Sequence, residues 1–277
     1  MKVHVAETHG FCFGVRDAVA ASESVPRPAE TTIYGEIVHN ERVRARLAAL
    51  GLRELEETGR AIPETPVVVV TPHGIADSER ARLVAAGKTL VDTTCPLVHV
   101  AHKAAAALAA EDRLVIVVGR AGHVEVRGIT LDLPFHIVVS GPADVAAYGE
   151  PRIGVMAQTT TAEATFAATV AAVREKNPSA DVRAIDTICK PTRDRQAALD
   201  DLLPRVAVLV VVGGKASRNS RELCETASAR GVRAHLVQGA SDLDPAWFAG
   251  LAEVGLTAGT STPPDAVEEI RRALVAL

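Results

Sequence analysis

Aromatic residues are scarce in this 277-residue chain: Phe, Trp and Tyr together make up 3% of it. Surfaces that stack nucleobases need such rings. Concentrated positive charge is missing too. The net charge is −4 and the isoelectric point about 6.2. No Lys/Arg stripe stands out, which argues against nucleic-acid binding through phosphates. No apolar run reaches the ~18 residues of a membrane span. Met1-Lys-Val-His4 opens a strand rather than a signal peptide. A cytoplasmic protein with no membrane partner is the expectation. Cysteines number four. In a reducing compartment they favour metal binding or catalysis over disulfides.

What is present is apolar and alternating. Hydrophobic residues make up 48% of the chain, enough for a sizeable core. Buried strands are predicted at 67–71, 114–118, 152–156, 206–212 and 254–256, with weaker ones at 32–34, 137–139 and 235–237. Helices fit 41–50, 76–86, 162–176, 220–230 and 264–277. Gly51, Gly87 and Gly231 stand where helix C-caps want glycine. Strand–helix alternation predicts α/β units with parallel sheets. The expected organisation is three small α/β thirds: residues 1–95, 96–189 and 190–277.

Three of the cysteines share a context. Val3 to Cys12, Thr89 to Cys95 and Val182 to Cys189 each read as a short apolar strand, an acid-Thr pair, then Cys. An Ala-rich amphipathic stretch follows each time. Each Cys should therefore lie where a strand end turns into a helix, a place whose N–H groups favour a thiolate. The separations are far too wide for one zinc knuckle and suit one Cys per third. Cys224, in Arg221-Glu-Leu-Cys-Glu-Thr226, reads as an inert buried thiol.

The other strand ends are polar. They carry His39, His73, His123 with Glu125, Gln158-Thr159, Ser217 with Asn219, and Ser261. Ligands of open parallel sheets bind beyond the carboxyl ends of the strands. The pattern predicts three thirds about a shared centre, with three thiolates meeting beside a ring of polar groups. Three thiolates without a fourth suggest an iron–sulfur cluster with one open iron; zinc with Cys₃His is the alternative. The His-Gly, Ser-x-Asn and Gly-Thr-Ser loops resemble an anion pocket. Gly213-Gly-Lys215 lacks the spacing of a P-loop. Glu125 is a candidate proton donor. His4, His99, His102, His136 and His235 read as structural.

Taken in order, Gly10-Phe-Cys-Phe-Gly-Val-Arg16, Val38-His-Asn40, Pro72-His-Gly74, Thr94-Cys-Pro-Leu-Val98 and Gly122-His-Val-Glu-Val-Arg-Gly128 resemble the LytB family. Gln158-Thr-Thr160, Asp186-Thr-Ile-Cys189, Arg195-Gln196, Lys215 to Ser220 and Thr257 to Pro263 extend the likeness nearly end to end. That family comprises the 4-hydroxy-3-methylbut-2-enyl diphosphate reductases of the non-mevalonate isoprenoid pathway. The resemblance implies three α/β domains in pseudo-threefold arrangement around a central 4Fe–4S cluster with one open iron, held by Cys12, Cys95 and Cys189. It implies that His39, His73, His123, Ser217, Asn219 and Ser261 bind the diphosphate. Glu125 then matches the proton source, and Thr159 the hydroxyl that positions the substrate's OH. Reduced ferredoxin or flavodoxin is the implied electron donor, and isopentenyl and dimethylallyl diphosphates the products.

The chain departs from the common pattern at Val124, at Lys190-Pro-Thr192, at Arg218 and at Pro264. Arg218, between Ser217 and Asn219, is read as a solvent-facing guanidinium at the pocket rim. A paralogue using its cluster as a Lewis acid on another diphosphate, and a non-enzymatic iron–sulfur sensor, are the competing functions.

Overall fold

The computed structural model describes every residue except Thr58 and Ala216, and at Arg218 the backbone alone. The rim reading of the Arg218 side chain thus lies outside the described residues. The strands are β1 (Lys2–Val5), β2 (Thr31–Ile33), β3 (Arg53–Glu54), β4 (Val67–Val70), β5 (Thr89–Asp92), β6 (Leu114–Val118), β7 (His136–Val139), β8 (Arg152–Ala157), β9 (Asp181–Ile185), β10 (Val208–Val212), β11 (Arg233–Val237) and β12 (Glu253–Ala258). The helices are α1 (Phe13–Glu23), α2 (Glu41–Ala49), α3 (Asp77–Ala85), α4 (Pro96–Ala110), α5 (Val124–Thr130), α6 (Glu163–Lys176), α7 (Lys190–Leu202), α8 (Arg218–Ala229) and α9 (Pro264–Ala276).

These strands make three four-stranded sheets, ordered β11-β10-β12-β1, β3-β2-β4-β5 and β7-β6-β8-β9. Every pairing is parallel. Written this way the three orders correspond. The strand leading to a cysteine is an edge each time: β1 to Cys12, β5 to Cys95, β9 to Cys189. The N-terminal strand is paired with β12, so the Cys12 strand closes the sheet of β10 and β11.

The chain divides into two compact units: residues 1–24, 36–51 and 194–277 form one, and residues 25–35 and 52–193 the other. The first holds the β11-β10-β12-β1 sheet. Val208, Val210 and Val212 face α9 through Ile270 and Leu274, while Leu209 and Val211 face α7 and α8 through Leu199 and Leu223. Burial on both faces explains the unbroken valine run of β10. The second unit holds the other two sheets. Ile116, Val118 and Val155 pack under Phe166 and Val170 of α6, and Val115, Val117 and Met156 under α4 and α5.

Two sequence expectations shift. The strand predicted from Val206 begins at Val208, after a 3₁₀ turn over Leu203–Arg205. The stretch after His123, read as loop, is the two-turn helix α5. Gly51, Gly87 and Gly231 follow their helices with φ of 101°, 73° and 79°, as C-cap glycines should.

Candidate active site

An acid-Thr pair precedes each cysteine, spaced acid-Thr-x-Cys at Cys95 and Cys189 and more widely at Glu7-Thr-His-Gly-Phe-Cys12. In the two closely spaced copies the carboxylate closes an Asx turn that aims the cysteine. Asp92 accepts the Thr94 N–H at 3.0 Å, and Asp186 the Ile188 N–H at 3.0 Å. The threonine then ties the turn to the neighbouring strand: Thr93 donates to the Val70 carbonyl, and Thr187 accepts the Ala157 N–H at 3.0 Å. The first copy is held differently. Gly10, at φ 66°, donates to the Ala258 carbonyl at 3.1 Å, and Phe11 to the Thr262 carbonyl at 3.0 Å. Arg195, which is buried, braces the same loop by donating to the carbonyls of Gly10 at 3.0 Å and Ala258 at 3.1 Å.

Each cysteine arrives at a helix start. Cys12 is the N-cap of α1 and Cys95 that of α4, and neither thiol caps its helix. Cys189 immediately precedes α7, with its sulfur 3.1 Å from Thr192 Oγ1. All three are half-buried. Cys12 belongs to the first unit, Cys95 and Cys189 to the second. Among the described residues no group of three or more His, Cys, Asp or Glu is gathered closely enough to hold a metal.

In the first unit, His39, Ser217, Asn219 and Ser261 come together around the ends of β10 and β12. Ser220, the third residue of α8, makes this possible. A Cβ on Gly213 or Gly259 would lie 2.1 or 2.2 Å from Ser220 Oγ, so the helix start seats between two glycines. Ser217 Oγ accepts the Ser220 N–H at 3.4 Å and lies 3.0 Å from the Ser220 hydroxyl and 3.3 Å from the Ser261 hydroxyl. Three rotatable O–H groups thus share one small network and can turn towards an anion. Asn219 accepts the Thr260 N–H at 2.9 Å through Oδ1, which leaves its two N–H donors outside that bond. His39 Nδ1 donates to the Glu36 carboxylate at 2.7 Å, which fixes the orientation of the ring.

In the second unit, His73, His123, Glu125 and Thr159 come together. His123 caps α5: its Nδ1 accepts the Glu125 N–H at 3.1 Å, which fixes the ring proton on Nε2. The His73 and His123 rings sit edge to face, 5.9 Å apart. Glu125 is buried at 2% exposure. Its carboxyl accepts the Thr159 N–H at 2.7 Å and the Thr159 hydroxyl at 2.9 Å. Burial pushes the Glu125 pKa up, against the opposing pull of those two bonds. Thr159 also offers its carbonyl to the Cys189 N–H at 2.9 Å, so the acid and that cysteine share one support. Cys224 behaves as expected of a structural thiol: burial, and secondarily Glu225, push it up to about 11.

Sequence reasoning brought forward the residues of both clusters. It missed the bracing role of Arg195, for which the Arg195-Gln196 pair was the available signal. It also missed Ser220, whose signal was its place three residues after Ser217.

With the geometry in hand, comparison with known proteins is direct. A family profile described as LytB protein matches residues 3–275. The 4-hydroxy-3-methylbut-2-enyl diphosphate reductase of Mycolicibacterium gilvum is 38% identical over 269 residues, 95% of this chain and 80% of the relative. The enzyme of the same name from an Anaeromyxobacter species is 37% identical, covering 98% of this chain and 95% of the relative. Among solved structures, the E-1-hydroxy-2-methyl-but-2-enyl-4-diphosphate reductase of Plasmodium falciparum aligns with a TM-score of 0.89 at 25% identity, covering 99% of this chain and 88% of that one. A second, the (E)-4-hydroxy-3-methyl-but-2-enyl diphosphate reductase described as the terminal enzyme of the non-mevalonate pathway, aligns with a TM-score of 0.73 at 32% identity over 100% of both chains. The chain belongs to the LytB family, and is an oxidoreductase of it.

Proposed function

We propose that this chain performs the two-electron reductive dehydroxylation of 4-hydroxy-3-methylbut-2-enyl diphosphate, yielding isopentenyl and dimethylallyl diphosphates and water. One observation carries the reading. A buried carboxyl with a raised pKa lies against a threonine hydroxyl, in the unit whose other polar strand ends are histidines. A carboxyl whose pKa is raised by burial is suited to give the proton that departure of a hydroxyl as water requires. Glu125 supplies the proton and Thr159 relays or orients it towards the allylic oxygen. His39, His73, His123, Ser217, Asn219 and Ser261 are the donors to the diphosphate.

The donor chemistry of the remaining strand ends fits iron. Three soft thiols at helix starts, none used as a cap where a cap is defined, match a 4Fe–4S cluster with one iron not bound by Cys. Cys12, Cys95 and Cys189 would hold that cluster, which when bound supplies the electrons and a Lewis-acidic iron. Reduced ferredoxin or flavodoxin is the proposed donor. A cytoplasmic location is part of this proposal, since a reducing compartment suits iron held by thiolates. No helix among the described residues is long and apolar enough to cross a membrane.

The test is anaerobic preparation with iron and sulfide analysis, then turnover of the hydroxylated diphosphate with dithionite and a viologen. The reading expects two electrons consumed per diphosphate and a mixture of the two isomeric products. Loss of water without electron uptake would show a Lewis-acid dehydratase instead, and absence of any turnover by iron-loaded protein would favour a sensor.

A further inference from the structure

The helix that carries Glu125 is short. Its first turn is fixed by His123 at the N-cap and by Thr159 on the Glu125 carboxyl. One face packs Val126 and Ile129 into the core beneath β6 and α4. Six of its seven residues are buried, and a helix this short takes its stability from tertiary contacts rather than its own ladder, among them one polar link to α3.

Arg127 supplies it. Its guanidinium donates to the Glu79 carboxylate of α3 at 2.8 Å and to the Glu57 carbonyl at 2.8 Å. Glu79 is 5% exposed while the Arg127 side chain is 34% exposed, so the pair is half-buried, with its carboxylate inside. The Glu57 segment is itself anchored. Glu57 pairs with the buried Arg60, whose guanidinium lies 5.0 Å from the Tyr34 ring centre. Arg82 of α3 donates to the Tyr34 hydroxyl at 2.7 Å and to the Arg60 carbonyl at 2.8 Å. Arg127 thus clamps α5 between α3 and a braced loop, two residues along from the acid. The clamp also holds the guanidinium on Glu79, and only Thr159 bonds and burial bear on the Glu125 carboxyl.

We infer that Arg127, with Glu79 as its counterpart, is a positioning residue for the Glu125 acid: it holds α5 at the height where the carboxyl meets Thr159. The inference rests on the proton-donor reading of Glu125 given above.

The experiment compares Arg127→Met and Arg127→Lys in the iron-loaded protein. Arg127→Met should lower kcat roughly tenfold or more, as expected of a displaced catalytic group, with KM for the hydroxylated diphosphate within about twofold. Lys can reach Glu79 or the Glu57 carbonyl, though not both with one fork, so Arg127→Lys should recover part of the loss. The second readout needs no substrate. The protonated-carboxyl infrared band of Glu125, assigned by its absence in Glu125→Gln, should titrate at lower pH in Arg127→Met because the carboxyl becomes wetter. A variant that only melts earlier, with kcat and the band's titration unchanged, would overturn the inference. If the band shifts while Glu125→Gln itself turns over normally, the anchor stands and the proton-donor reading fails.

Discussion

The two polar clusters differ in how their hydrogen bonds are spent. In the first unit, Ser217, Ser220 and Ser261 share long bonds of 3.0–3.4 Å among neutral hydroxyls whose O–H groups can turn. Such bonds are cheap to exchange for stronger ones to an anion. In the second unit, Glu125 holds two short bonds of 2.7 and 2.9 Å in a fully buried setting. There burial raises the carboxyl's pKa while the two bonds oppose that rise. On the proposed function, recognition falls chiefly to the first cluster, together with the two histidines of the second, and proton delivery to the Glu125–Thr159 pair.

The harshest break of this division is removal of the group that both clusters would serve. Cys12→Ser, Cys95→Ser and Cys189→Ser should each lose the brown chromophore and activity, read by iron analysis and visible absorption. Retention of full iron and turnover by any one of them would remove that residue from the ligand set.

A finer break separates binding from chemistry. His39→Ala, His73→Ala and Asn219→Ala should each weaken pyrophosphate inhibition by about 1.5–3 kcal/mol, the scale of a charge-assisted hydrogen bond. Iron content should stay constant. Unchanged inhibition in all three would place the substrate elsewhere.

The comparison can also be sharpened through stability. A carboxyl whose folded pKa is raised binds its proton more tightly folded than unfolded. Its contribution is full below the unfolded glutamate value and is lost as pH rises to the folded value. Wild type should therefore lose melting temperature relative to Glu125→Gln as pH climbs through that window. A gap independent of pH would show that Glu125 is not perturbed. The smallest effect belongs to Cys224. Raised to about 11, it stays a thiol at neutral pH, and Cys224→Ser should change iron content and activity negligibly. Bleaching of that variant would contradict the ligand assignment.

Much of this was legible in the sequence, for physical reasons. Val208 to Val212 and Val115 to Val118 are buried on both faces of parallel sheets, so they read as unbroken apolar runs. The acid-Thr-x-Cys repeats marked the turns that aim the thiols because Asx turns and threonine tethers need those residue types. What stayed hidden depended on long-range pairing or on weak local signal. Nothing near Lys2–Val5 indicates that it pairs with residues 253–256. The strand Arg53–Glu54 has two polar residues and no pattern. Helix α5 has seven residues with Gly128 inside, too short for helical periodicity to show. The Arg127–Glu79 pair joins residues with no sequence relation, so only the fold reveals it.

The central claim is that binding and proton delivery reside in different clusters, and a single-turnover measurement on Glu125→Gln tests it most directly. The variant keeps the side chain's shape and removes its acid. Pre-reduced, iron-loaded protein mixed with saturating hydroxylated diphosphate should bind it with near wild-type affinity. Conversion to the two isomeric products should be slower by roughly two to four decades, the scale of general acid catalysis. Conversion at the wild-type rate, or loss of diphosphate affinity with an unchanged rate at saturation, would contradict the account.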